Sequence, residues 1–324
     1  MDNIIFIFSL PRSGSTLLQR LLSSHSKIST VSEPWLLLPF IYANKHSGVL
    51  TEYNHGWASD ALKDFIEQLP GKKNDYYQEL GKFAFSLYNK ISSPDSKYFI
   101  DKTPRYYLII PQITKLFPEA KFIFLFRNPL QVLASVITSF NRGSLRLHQY
   151  HIDLYRGPKL LAEGYMRLKD KSIAIDFDQL IQSTDFELKR IFDYLELNIE
   201  NSSPSSFQMV KLNGCKGDKV GYFEYSQVEN QVTEKWEKVL ASKYRKKFAR
   251  KYIQRLGNDT LTIFGQDRND LWQMIDRLET PQTGNIKDRY DLFIGNFLRI
   301  FELPMFARKI NLWKSHGSSF SLYR

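Results

Sequence analysis

Residues Ser9-Leu10-Pro11-Arg12-Ser13-Gly14-Ser15-Thr16-Leu17-Leu18 join an apolar run to the start of a helical pattern. Small residues at 13–16 let the backbone bend tightly and present successive N–H groups. A helix beginning there adds its unbonded N–H donors and the positive end of its dipole. Together these form a cradle for a phosphate or sulfate, and Arg12, Ser15 and Thr16 add a charge and two hydroxyls. The same residues also suit a plain serine cap on a core helix, so the loop alone does not decide. It is not a Walker A loop, because no Lys stands at the helix start, and that weighs against ordinary ATP γ-phosphate chemistry. A second group lies further on. Arg127 closes the apolar run Phe122–Phe126, Asn128-Pro129 follows, and Ser135 comes eight residues after the arginine. A guanidinium fork with a hydroxyl suits a terminal phosphate.

These groups meet only if the fold brings them together. Four short runs read as buried parallel strands: Ile4–Phe8, Tyr98–Ile100, Lys121–Phe126 and Ser172–Phe177. Helical patterns lie between them, such as Leu17, Leu18, Leu21 and Leu22 after the first and Val132, Val136 and Phe140 after the third. Strand, turn, helix and strand with long crossovers predict an α/β fold, a parallel sheet with flanking helices. Such sheets bind ligands at the carboxyl ends of their strands, where both groups would then lie. The segment from Pro34 to Pro94 is poor in strand signals and reads as inserted helices and loops. Residues 233–256 predict one charged helix ending near Gly257. Residues 1–265 read as one domain and 266–324 as a C-terminal helical extension, with an aromatic stripe at Phe293, Phe297, Phe301 and Phe306.

Composition sets the outer bounds. With 43% hydrophobic and 24% charged residues the 324-residue chain is globular, and it is long enough for a full core. One cysteine, Cys215, excludes an internal disulfide and a Cys-rich metal site. The formal net charge of +11 points to anionic partners. The apolar run at the amino terminus follows Asp2 and precedes Pro11-Arg12, unlike a signal peptide. The longest apolar stretch, Trp35–Ala43, is too short to span a bilayer. A soluble, cytoplasmic protein is the expectation.

Pro11-Arg12-Ser13-Gly14-Ser15-Thr16 resembles the 5′-phosphosulfate loop of sulfotransferases that use 3′-phosphoadenosine 5′-phosphosulfate (PAPS). The resemblance covers roughly residues 1–265 and implies a doubly wound, P-loop-like parallel sheet with flanking helices, sulfuryl transfer to a hydroxyl, and 3′-phosphoadenosine 5′-phosphate (PAP) as product. It assigns the 5′-phosphosulfate to Arg12, Ser13, Gly14, Ser15, Thr16 and Leu17, and the 3′-phosphate to Arg127 and Ser135. Ile175-Asp176-Phe177-Asp178-Gln179-Leu180 is similar to the family's Y-E-D-L segment, with Phe177 at the aromatic position and no hydroxyl. Lys216-Gly217-Asp218-Lys219 resembles a late loop over the nucleotide, and a solvated basic turn fits Lys219 equally well. Ser226 matches a donor contact by weaker similarity.

The family differs in its base. Asp101-Lys102-Thr103-Pro104 keeps the Lys-Thr pair of cytosolic members but has proline where they carry histidine. Similarity to the tyrosylprotein branch implies Glu33, in Val31-Ser32-Glu33-Pro34, as general base, with Pro34 biasing it to an extended conformation. His25 competes but reads as a helix-end residue. Lys102, at the end of a strand beside the loop, is assigned to the leaving phosphate. No metal is expected. The implied partners are PAPS and a hydroxyl-bearing acceptor (carbohydrate, tyrosine or small metabolite), not nucleic acid. Trp35, Tyr42, Trp57, Tyr76, Tyr77 and Tyr88 suit sugar rings or plain packing. The basic run from Lys243 to Arg255 reads first as a solvated helix face. The tail from Arg289 onward suits docking on the core or a second subunit, with weak membrane-surface contact as a further option; oligomeric state is left open. The rival readings are a nucleotide or nucleoside kinase and a non-enzymatic polyanion binder.

Overall fold

The computed structural model describes residues 3–199, 212, 231–280 and 286–301. Its five strands are β1 (Asn3–Ser9), β2 (Ile28–Thr30), β3 (Tyr98–Asp101), β4 (Lys121–Phe126) and β5 (Ser172–Asp176). They form one parallel sheet in the order β2-β3-β1-β4-β5. The period of two along each strand sorts its residues between faces. Phe6 and Phe8 of β1 and Phe122, Phe124 and Phe126 of β4 enter one core, while Ile5, Ile7, Ile123 and Leu125 enter the other. Both faces are apolar because helices cover both.

Helices α1 (Ser15–Ser23), α8 (Phe177–Gln182) and α9 (Thr184–Tyr194) pack on the Ile/Leu face. On the Phe face lie α2 (Leu37–Tyr42), α4 (Lys73–Ile91), α5 (Ile110–Leu116) and α7 (Gly157–Leu168), with α3 (His55–Glu67) preceding α4. A third cluster joins α6 (Pro129–Ser135), α10 (Gln231–Leu240), α11 (Lys243–Leu256), α12 (Asn258–Ile263) and α13 (Arg268–Arg277). Among the described residues, α14 (Ile286–Ile300) comes last. The chain leaves β1 for one edge of the sheet and β4 for the other. The crevice at their adjacent carboxyl ends is therefore the switch point where an α/β sheet takes its ligand.

Four details differ from the sequence reading. β2 is a fifth strand, Ile-Ser-Thr, registered on β3 with Ile28 opposite Tyr98. Phe177 opens α8 instead of closing the last strand, because the Asp176 side chain accepts from Gln179 N and caps the helix. The single helix expected over 233–256 is two, since Ser242 caps α11 by accepting from Arg245 N; Gly257 ends α11 as anticipated, with φ +83°. Phe293, Phe297 and Phe301 are exposed, so α14 does not dock on the core through its aromatic stripe. Phe306 lies outside the described residues.

Candidate active site

The loop after β1 bends through two left-handed residues, Arg12 (φ +68°) and Gly14 (φ +87°). Ser13 N donates to Leu10 O and closes the turn at 3.2 Å. Gly14 is doubly required. Besides its φ, a Cβ there would sit 2.0 Å from Cε2 of Phe177. The bend puts Ser15 and Thr16 at the start of α1, where N–H groups have no intrahelical carbonyl to reach.

Arg12 leaves the loop sideways. Its Nε donates to Ser135 Oγ and its Nη2 to Ser139 Oγ, both at 3.1 Å, and the guanidinium lies over Phe140, 5.2 Å from the ring centre. The structure thus joins Arg12 to Ser135, two residues that the sequence reading gave to different phosphates. Arg127 lies directly beneath. Its Nη1 donates to Arg12 O (3.1 Å), its Nε to Gln131 Oε1 (2.8 Å), and its guanidinium stacks 4.1 Å from the Phe177 ring centre. Gln131 in turn donates to Asp178 at 3.1 Å. The aromatic position that lacks a hydroxyl therefore acts here through its face.

On the other side of β1, Lys102 extends from the end of β3. Its Nζ donates to Thr16 Oγ1 at 3.3 Å and to Glu33 Oε1 at 3.0 Å. The lysine side chain is 1% exposed and that of Glu33 12%, so this ion pair opens to solvent only on the carboxylate side. Trp35 Nε1 donates to Glu33 Oε2 at 3.1 Å. Gln19 of α1 donates to Thr30 Oγ1 and to Val31 O, both at 2.7 Å, which ties the chain carrying Glu33 back to the loop's own helix.

Behind Lys102 lies a network the sequence did not disclose. Asp101 is wholly buried. Its Oδ2 accepts from Tyr88 OH (2.5 Å) and Tyr106 OH (2.9 Å), and its Oδ1 from Thr103 Oγ1 (3.2 Å). Thr103 Oγ1 also accepts from Trp35 N at 3.2 Å. Burial raises the Asp101 carboxyl to about 6, even against the three hydroxyl donors and the neighbouring Lys102 charge. The only signal in the sequence was an aspartate closing an apolar strand.

The site thus gathers Arg12, Ser13, Gly14, Ser15, Thr16, Leu17, Glu33, Lys102, Arg127 and Ser135 around the carboxyl ends of β1, β3 and β4. Lys219 and Ser226 lie outside the described residues. His25 is not with them. It is buried beyond the other end of α1, where Nδ1 accepts from Lys27 N and Nε2–H donates to Asn198 O. Among the insert's aromatics Tyr77 and Tyr88 are core, Trp35, Tyr42 and Tyr76 pack against it, and Trp57 is exposed.

A family model described as "Sulfotransferase family" matches residues 4–201. Among curated proteins, the nodulation protein NoeE of Sinorhizobium fredii is 31% identical over 134 residues, 41% of this chain and 30% of that protein. The chain therefore spans less than a third of that relative's length. A putative protein-tyrosine sulfotransferase of Caenorhabditis briggsae is 24% identical over 246 residues, 72% of this chain and 79% of that one. Among solved structures, the sulfotransferase domain from the curacin biosynthetic pathway superposes with a TM-score of 0.51 at 20% identity, covering 82% of this chain and 97% of the domain. That likeness is one of fold.

Proposed function

The chain belongs to the sulfotransferase family, and on that premise we propose that it transfers the sulfuryl group of PAPS to a hydroxyl of an acceptor, leaving PAP and a sulfate ester. The observation that carries this reading is the position of Lys102 between the Thr16 hydroxyl of the anion loop and the Glu33 carboxylate. One cation there serves both the leaving group and the base. The acceptor oxygen bonds to sulfur as the bond from sulfur to the 5′-phosphate oxygen breaks. Glu33 takes the acceptor's proton, and Lys102 with the N–H groups at the start of α1 meets the charge left on the 5′-phosphate. Each carboxylate oxygen has two lone pairs, so the bonds from Lys102 and Trp35 leave Glu33 room to accept.

Arg127 and Ser135 bind the 3′-phosphate in this reading. Arg12 belongs to both halves, with its backbone in the 5′ loop and its guanidinium on Ser135. The left-handed turn at Gly14, at the start of α1, fits a phosphosulfate lying on backbone N–H groups. The acceptor class stays broad: tyrosine is kept in view by the C. briggsae relative's name and a sugar ring by the exposed Trp57.

Calorimetry tests the donor half. Without magnesium, PAP should bind at micromolar affinity or tighter, at least about −8 kcal/mol, and in clear preference to AMP and ATP. Equal binding of all three would overturn the donor assignment. Glu33→Gln tests the base in PAPS turnover with an accepted hydroxyl. The variant should keep PAP affinity and lose about 10²–10⁴ in kcat; undiminished turnover would remove Glu33 from the chemistry.

A further inference from the structure

Helix α14 is attached to the body by its polar side. Asp288 is buried and accepts two bonds of 2.8 Å from the guanidinium of Arg245. Asp291, also buried, accepts from Arg146 Nε at 2.8 Å. Gly295 lies against the backbone of Arg146, where a Cβ would come 3.3 Å from its Cα. These three residues stand at i, i+3 and i+7, one face of a helix.

The opposite face carries Ile286, Tyr290, Phe293, Phe297, Ile300 and Phe301, between 44% and 83% exposed. Their spacing makes a continuous stripe, not scattered apolar residues, and such patches mark contact surfaces. The helix's two acids are both spent on the body, so its exposed charges, Lys287, Arg289 and Arg299, are all cationic. Lys287 and Arg289 fall on either side of the stripe at helical spacing. Residues 302–324 continue the composition, with Arg308, Lys309, Lys314 and Arg324 against Glu302, and with Phe306 and Trp313.

We propose that the outer face of α14 docks the protein on an anionic lipid surface, with the aromatic stripe at the boundary of headgroups and acyl chains and the flanking cations on the lipid charges. A helix of 15 residues is about 22 Å long, too short to span a bilayer, and lies in its plane. An apolar face of Phe and Ile flanked by Lys and Arg suits that interface. A second copy of the helix fits less well. Pairing two such stripes would bring cations to cations along the flanks, with no free acid on the helix to pair with them. The inference concerns binding alone and does not rest on the sulfotransferase reading.

The test uses the full chain and sedimentation with vesicles of phosphatidylcholine, with and without about 30% phosphatidylserine. The chain should bind the mixed vesicles at least tenfold better than pure phosphatidylcholine, and high salt should weaken the binding. The double variant Phe293→Asp/Phe297→Asp should lose at least tenfold, with an unchanged circular dichroism spectrum. Lys287→Glu/Arg289→Glu should lose the preference for phosphatidylserine. Three results would overturn the proposal: no preference for the anionic vesicles, binding that survives both aspartates, or a wild-type dimer that the aspartates turn to monomer while vesicle binding is unchanged.

Discussion

Glu33 reaches its place through others. Its strand neighbour Thr30 and the Val31 carbonyl are held by Gln19, its Oε2 by Trp35, and the Trp35 backbone by Thr103, whose hydroxyl donates to Asp101. Asp101 also precedes Lys102 in sequence, so one buried carboxyl backs both Glu33, the proposed base, and the Lys102 cation. Removing water from that carboxyl has a measurable consequence. Its ordinary value is 3.8 and the fold raises it to about 6. Between those values the folded chain keeps a proton that the unfolded chain has released. The stability contributed by this group is therefore full below pH about 4 and lost as pH rises through about 6. At 1.36 kcal/mol per unit the loss is about 3 kcal/mol. Asp101→Asn cannot titrate, so the difference in urea stability between wild type and variant should change by that order between pH 4 and pH 7.5. A constant difference would mean that Asp101 is not the group that titrates. In the same variant Thr103 loses part of its anchorage, and kcat should fall while PAP affinity holds, as expected of a positioning residue.

At the scale of elements, the β1–loop–α1 unit is the most constrained part of the fold. Gly14→Ala places a Cβ against Phe177 and asks a non-glycine residue to hold φ +87°. The ring cannot retreat freely, because Arg127 stacks on it. Overpacking and the left-handed φ together should destabilise the protein by about 2–4 kcal/mol and weaken PAP binding. Adding Phe177→Ala should relieve the clash but not the φ cost, and chemical melts of the two variants separate these contributions. A Gly14→Ala protein as stable as wild type would contradict the close contact. This unit was legible in the sequence because small residues between an apolar strand and a leucine-periodic helix leave few geometries open. β2 was not, since Ile28-Ser29-Thr30 is short, two-thirds polar and made a strand only by its neighbour β3. The bond from Arg12 to Ser135 was equally hidden, because a left-handed residue turns its side chain across the crevice in a direction no spacing rule encodes. The Asp101 network needed a tyrosine from α4 and another just after β3, a meeting that only packing decides.

For the molecule as a whole, the third core settles how much chain the site depends on. Leu130 and Leu133 of α6, the helix that ends in Ser135, share that core with Leu271, Ile275 and Leu278. The basic helix α11 is more than a solvated face: Arg245 holds Asp288, Lys246 reaches the Leu278 carbonyl and Arg250 pairs with Asp276. Residues 266–278 are therefore bound to the helix that carries Ser135, whereas α14 is fastened mainly by polar bonds. A chain ending at Gly265 loses three buried aliphatic residues, each worth about 2–5 kcal/mol, against a total stability of about 5–15 kcal/mol. It should not give a cooperative thermal transition. A chain ending at Thr280 keeps the third core, and Arg245 retains the carbonyls of Val239 and Gly143 as acceptors. It should fold, melt within several degrees of the full chain and bind PAP with little change, while losing its hold on anionic vesicles. Cooperative melting and undiminished PAP affinity in the chain ending at Gly265 would instead make everything beyond that residue an accessory.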